Sequence, residues 1–182
     1  MYGPIDPVAG LILGVALVAM TTDLWRGKIY NWLTVSTMAV GLGMVFYLAG
    51  WGGLLQSLMG IGLGLALYGW IFWFGFMGAG DVKLLMALGA IGGTRYIEEV
   101  ALLALICGGA MSILLLLLRG KLVPFIKKIY LFLLSLFVAQ LEVQFPKLDR
   151  SVSMPFGVAI AVASVWVYFG HPLLRTGWVL WP

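Results

Sequence analysis

Apolar residues fill this chain in blocks, and the short links between the blocks carry most of its charge. Crossing the hydrocarbon core of a bilayer takes about 20 mostly apolar residues, and fewer suffice for short or partly enclosed helices. Val8 to Thr22, Leu33 to Ala49, Leu54 to Phe76, Val100 to Leu118 and Met154 to Phe169 reach or approach that length. A further stretch, Val82 to Gly93, is shorter and starts behind a run of glycines. Broken backbone at membrane depth is tolerated where protein or a water-filled cavity surrounds it, and counting on to Tyr96 brings this stretch close to a span.

Ile129 to Val143 reads either as one more span or as a helix lying in the interface. Positive residues favour the cytoplasmic side. Six spans with the N-terminus outside gather Arg26, Lys28, Lys83, Arg119, Lys121, Lys127, Lys128, Lys147 and Arg150 on that side, leaving Arg95 and Arg175 opposite. A seventh span would move Lys147 and Arg150 across, and Gln140 and Glu142 also suit an interfacial segment. The pattern therefore predicts an all-α membrane bundle. It has six transmembrane helices, a short or broken fourth, an interfacial segment before the last, and both termini outside.

Composition agrees. With 63% hydrophobic and 10% charged residues the chain is far from soluble usage, where about a quarter of residues are charged. No polar stretch is long enough for a separate soluble domain, so residues 1–182 read as a single membrane-embedded domain. The net charge of +4 sits in the links and reads as a topology signal, with no nucleic-acid partner. Cys107 is the only cysteine, which excludes an internal disulfide and a cysteine-based zinc site. Met1 to Pro7 carries no Lys or Arg, so the first apolar stretch is expected to remain as a helix.

Against this background two acids stand out. Asp81 lies in Gly75-Phe-Met-Gly-Ala-Gly-Asp-Val-Lys-Leu-Leu85, between two apolar stretches, and Asp23 ends the first one. An ionisable residue at membrane depth is costly and marks function by default. The topology, drawn from Lys and Arg alone, puts both acids at one membrane face. Blander roles exist for each: Asp23 as an interfacial partner of Arg26 or Lys28, and Asp81 as the N-cap of the fourth helix. Gly60 and Gly64, and later Gly108, Gly109, Ala110 and Ser112, read as close-packing positions.

Gly78-Ala-Gly-Asp81 followed by Val82-Lys-Leu-Leu-Met-Ala-Leu-Gly89 resembles the Gly-x-Gly-Asp signature of the type IV prepilin peptidases, a family that includes the preflagellin peptidases. The Asp23 segment resembles the family's first catalytic aspartate with its downstream Ile/Pro/Asn element, and Met154-Pro-Phe-Gly-Val-Ala-Ile-Ala161 its final helix. Three motifs in the family's order cover nearly the whole chain. The resemblance implies an aspartic endopeptidase of the inner membrane that needs neither metal nor cofactor. It would remove the leader from prepilin-like precursors at the cytoplasmic face, with Asp23 and Asp81 catalytic and Gly78, Gly80, Lys83 and Asn31 supporting the motifs. Its partners would be the precursor and membrane lipid. Tyr30 stands where the family usually has proline, and Val158 replaces the proline common after Pro-Phe-Gly. Large members carry a cytoplasmic insertion with paired Cys-x-x-Cys motifs linked to N-methylation. Here only Gly27 to Trp32 separates the first two helices, so the chain resembles the short, peptidase-only form found beside tight-adherence pili or archaeal flagellins.

Two carboxyls sharing one proton supply both the base that activates water and the acid that protonates the scissile group. Asp81 begins a helix and Asp23 ends one, which points to Asp81 as base and Asp23 as acid, although Arg26 and Lys28 oppose that assignment. Lys83 snorkels or supports the motif, and Asn31 caps the second helix or hydrogen-bonds near the site. His171 is far from the acids, Trp70, Trp73, Trp166 and Trp178 suit membrane interfaces, and Glu142 and Asp149 are candidates to meet a basic leader. A precursor's apolar helix would dock laterally on the glycine-rich faces. A small ion-coupled transporter or a non-catalytic secretion-assembly subunit are the competing classes, but no inverted repeat is visible and both acids share one face.

Overall fold

The computed structural model describes residues 7–75, 77–137 and 156–170. All regular elements among the described residues are α-helices: α1 (Pro7–Arg26), α2 (Asn31–Trp73), α3 (Ala79–Leu118), α4 (Leu122–Phe137) and α5 (Phe156–Gly170). Three of them, α1 to α3, are long and apolar enough to cross a membrane, and α5 is a shorter apolar helix. The termini, and with them the expected sidedness, lie outside the described residues, as do Glu142, Asp149, His171 and Trp178.

At 1.5 Å per residue a straight 43-residue helix would be about 64 Å long, roughly twice the hydrocarbon thickness. The chain solves this with glycine. Gly50 (φ 62°, ψ −149°) interrupts α2 and Gly93 (φ 72°, ψ −168°) interrupts α3, in a backbone region essentially closed to other residues. No polar link separates the stretches expected at Leu33 to Ala49 and Leu54 to Phe76; a single residue does. Both parts of α2 then pack on the same part of α3. A Cβ built on Gly41 would stand 3.1 Å from Ile91 Cγ1, one on Gly64 would stand 3.1 Å from the Met86 nitrogen, and one on Gly60 would collide with the Gly89 carbonyl. Two helix backbones touch here because neither has a side chain in the way, the packing mode that replaces the hydrophobic effect in lipid.

The chain divides into two compact units, Met1–Gly108 with Pro155–Pro182, and Gly109–Met154. In the first, Ile12, Leu84, Leu85, Leu88, Ile91, Ile97 and Ile160 are fully buried. Two tyrosines cross-tie it: the Tyr68 hydroxyl donates to the Ala101 carbonyl at 2.8 Å, and the Tyr96 hydroxyl to the Ser164 carbonyl at 2.9 Å. The unit's exposed surface includes Trp70, Trp73 and Trp166, as expected for residues that meet lipid.

The second unit holds α4, the most one-sidedly apolar of the five helices. α4 begins earlier than the interfacial segment expected at Ile129, because Pro124 falls in its first turn, where the missing N–H costs nothing. The remainder of that segment, 138–143, lies outside the described residues. Gly108 is buried against the Phe156 ring, whereas Gly109 has open space around it and Ala110 is exposed.

Candidate functional site

Asp23 sits in the last turn of α1. The helix stops because Gly27 takes the left-handed conformation (φ 58°) and donates its N–H to the Asp23 carbonyl at 2.8 Å, an αL cap. That stop leaves the Asp23 side chain facing the start of α5. Its carboxylate accepts from the backbone N–H groups of Gly157 and Val158, while Oδ2 has no hydrogen-bond partner. The residue is only 6% exposed. A helix N-terminus is a natural seat for a carboxylate, since its free N–H groups point outward and its dipole favours negative charge.

The approach is close enough to demand glycine. A Cβ on Gly157 would stand 2.8 Å from Asp23 Oδ2 and 3.1 Å from its Cγ. The ion pair with Arg26 or Lys28 expected for an interfacial aspartate is absent. The Arg26 guanidinium instead donates to the Tyr30 hydroxyl at 2.7 Å and lies 5.9 Å from that ring's centre, and Lys28 is exposed. Tyr30 itself holds φ −79° ahead of α2, an angle proline also adopts.

Asp81 lies in the first turn of α3, two residues inside its start, and is not the N-cap. Its backbone N–H donates to the Gly78 carbonyl at 3.2 Å, and its carboxylate accepts from the Gly78 N–H. This reciprocal arrangement resembles a capping box, with aspartate where glutamate is usual. A Cβ on Gly78 would stand 3.2 Å from Asp81 Oδ2. Gly80 has a different reason to be small, because a Cβ there would stand 3.1 Å from Ile29 Cβ and 3.3 Å from the Ile29 carbonyl.

The Asp81 carboxyl lies within the electrostatic field of Asp23, and Tyr68 lies within that of Asp81. Both acids therefore sit at helix N-termini, Asp81 in α3 and Asp23 against α5. The dipole contrast expected to make Asp81 the base and Asp23 the acid is opposed by a contact between residues far apart in the chain, since Asp23 ends α1 but also accepts from the start of α5.

Asn31 and Lys83 also come together. Lys83 Nζ donates to Asn31 Oδ1 at 2.9 Å. Asn31 opens α2 without a side-chain cap, so its amide is spent on α3 rather than on its own helix. Gly157, Val158, Ile29, Tyr68 and Phe156 join the site without having been assigned to it from the sequence. Phe156 meets the Tyr68 ring edge-on at 6.0 Å between centres. Only the Pro-Phe-Gly motif and the position of Ile29 in the Asp23 segment hinted at any of them. Among the described residues no three His, Cys, Asp or Glu side chains converge as they would to hold a metal ion.

The sequence matches the type IV leader peptidase family over residues 10–113. No curated protein and no solved structure matches the chain.

Proposed function

Because this chain belongs to the type IV leader peptidase family, we propose that it is a membrane aspartic endopeptidase that removes the leader from a prepilin-like precursor, with Asp23 and Asp81 as its paired acids. The observation that carries this reading is the pairing itself. Two aspartates come from separate helices, one closing α1 and the other opening α3; the Asp81 carboxyl lies within the field of Asp23, and each stands beside a glycine that leaves its carboxylate accessible to the backbone.

Such a pair titrates as one unit. With one shared proton, the ionised member takes a proton from water as the water attacks the scissile carbonyl carbon. The protonated member gives its proton to the carbonyl oxygen, and later proton transfer to the nitrogen releases the amine as the C–N bond breaks.

The site is read as facing the cytoplasm at the inner membrane, with six spans formed when Gly50 and Gly93 divide α2 and α3 between α1 and α5. The amphipathic α4 would rest on the lipid headgroups. The glycine-rich face of α2 is occupied by α3, so a precursor helix would have to dock on another surface than Gly60 and Gly64.

The test is leader removal from a co-expressed precursor, followed by immunoblot at matched membrane levels of wild type, Asp23→Asn and Asp81→Asn. Trimming by wild type and by neither variant is the expected outcome. Cleavage by either variant would sink the two-aspartate mechanism and favour the transporter or assembly-subunit reading.

A further inference from the structure

Asp23 and Asp81 are held by different helices, yet one side chain touches the glycine beside each. Ile29 lies in the turn between α1 and α2 and is half-buried. On one side its backbone rests against α3: a Cβ on Gly80 would stand 3.1 Å from Ile29 Cβ and 3.5 Å from its amide nitrogen. On the other, the tip of its side chain reaches α5, where a Cβ on Gly157 would stand 2.8 Å from Ile29 Cδ1 and equally 2.8 Å from Asp23 Oδ2. Gly80 immediately precedes Asp81, and Gly157 gives its N–H to Asp23. Ile29 therefore spans the gap from the helix that carries Asp81 to the helix that seats Asp23.

The turn is fixed at both ends. Gly27 closes α1 with its left-handed cap, and Asn31 is bonded to Lys83 on α3 at 2.9 Å. A β-branched side chain suits a spacer, since its χ1 is stiff. The charged and titratable groups nearby are otherwise engaged or turned away. Arg26 is bonded to Tyr30, Lys83 to Asn31, Tyr68 to the Ala101 carbonyl, and Lys28 is exposed.

We propose that Ile29 is a positioning residue, a wedge between α3 and α5 whose side-chain length sets the separation of the Asp23 and Asp81 carboxyls. The proposal rests on the two-aspartate reading, in which the coupling between those carboxyls determines how one proton is shared. Ile29 acts through the acids and touches no reacting atom. Shortening it lets the turn settle and the carboxyls approach, which strengthens their mutual repulsion and drives their two titration steps further apart.

The experiment compares purified wild type, Ile29→Val and Ile29→Ala. Val keeps the β-branch and loses only Cδ1, the atom against Gly157; Ala removes everything beyond Cβ, so the contact at Gly80 stays and the reach to Gly157 is lost altogether. Infrared bands of protonated carboxyls are followed against pH, with Asp23→Asn and Asp81→Asn assigning the two steps. The same proteins are assayed for precursor cleavage as a function of pH. The expected result is a separation between steps that widens from wild type through Ile29→Val to Ile29→Ala. In parallel kcat falls, towards the roughly hundredfold loss that about 1 Å of misplacement causes, while KM stays near its wild-type value.

An unchanged or narrowed separation in the variants overturns the proposal, whatever happens to activity. If wild type cuts no precursor but the separation still follows side-chain length, the peptidase reading fails and the spacer stands. Should Ile29→Ala not fold, Ile29→Val alone decides between the two results.

Discussion

Gly157 lies so close to Asp23 that a single added methyl group would stand 2.8 Å from the carboxylate oxygen Oδ2. The same residue donates its N–H to that carboxylate, so the backbone of α5 both seats the acid and leaves no room beside it. Gly157→Ala must push Asp23 away from its donors or push α5 away from α1. Either shift is of the order of an ångström, and misplacement on that scale costs about a hundredfold in rate. Cleavage of a precursor by Gly157→Ala, measured beside wild type at equal membrane level, is expected to fall by about that factor. Near-normal cleavage would mean that the approach of α5 to Asp23 has no bearing on activity.

The hydrogen bond from Lys83 to Asn31 joins α3 to the start of α2 at an exposed position. Exposure limits its strength to about 1 kcal/mol or less, below the figure for buried bonds to charged groups. Asn31→Ala and Lys83→Met are each expected to lower the thermal midpoint in detergent slightly, and the double variant by no more than either alone. A double-mutant cycle checks this: fully additive losses would show that the two side chains do not act together.

What could be read from the sequence and what could not follow the range of the interactions. The apolar blocks, the glycine-rich start of α3 and the two aspartates are local patterns, and the structure has helices where the blocks are. Gly93 was recognised as the end of a short stretch because a glycine in an apolar helix is a visible break. Gly157 was not assigned to the site, since its role comes from a contact with Asp23 more than a hundred residues earlier in the chain. The case for Asp81 as base and Asp23 as acid was incomplete for the same reason. It used the helix that contains Asp23, whereas the field at its carboxylate includes the start of α5. Tyr68 and Tyr96 looked like ordinary members of apolar runs; only the fold shows that each hydroxyl ties two segments together.

Gly60 and Gly62 are neighbours on α2 with opposite surroundings. A Cβ on Gly60 would collide with the Gly89 carbonyl, and one on Gly62 would meet nothing within 4 Å. Gly60→Ala is expected to destabilise by about 1–3 kcal/mol, the cost of overpacking where the neighbour is backbone and cannot swing away. Gly62→Ala should be neutral or stabilising by up to about 1 kcal/mol, because alanine is the better helix former. Thermal unfolding of the two purified variants distinguishes them, and equal midpoints would contradict the α2 to α3 packing described above.

Gly50 tests the interruption of α2 in isolation from packing. Its φ of 62° and ψ of −149° are essentially reserved for glycine, and a Cβ there would meet nothing within 4 Å. The cost of Gly50→Ala is therefore backbone strain alone, about 1–3 kcal/mol. Two outcomes are open: the chain keeps its break and bears the strain as lost stability, or residues 31–73 straighten into one helix and the contacts of Gly41, Gly60 and Gly64 with α3 can no longer coexist. Both lower the thermal midpoint, and only the second abolishes a disulfide engineered between cysteines replacing Gly41 and Ala90, whose backbones are adjacent in the native fold. A midpoint equal to that of wild type would show that the chain does not need its left-handed residue at position 50.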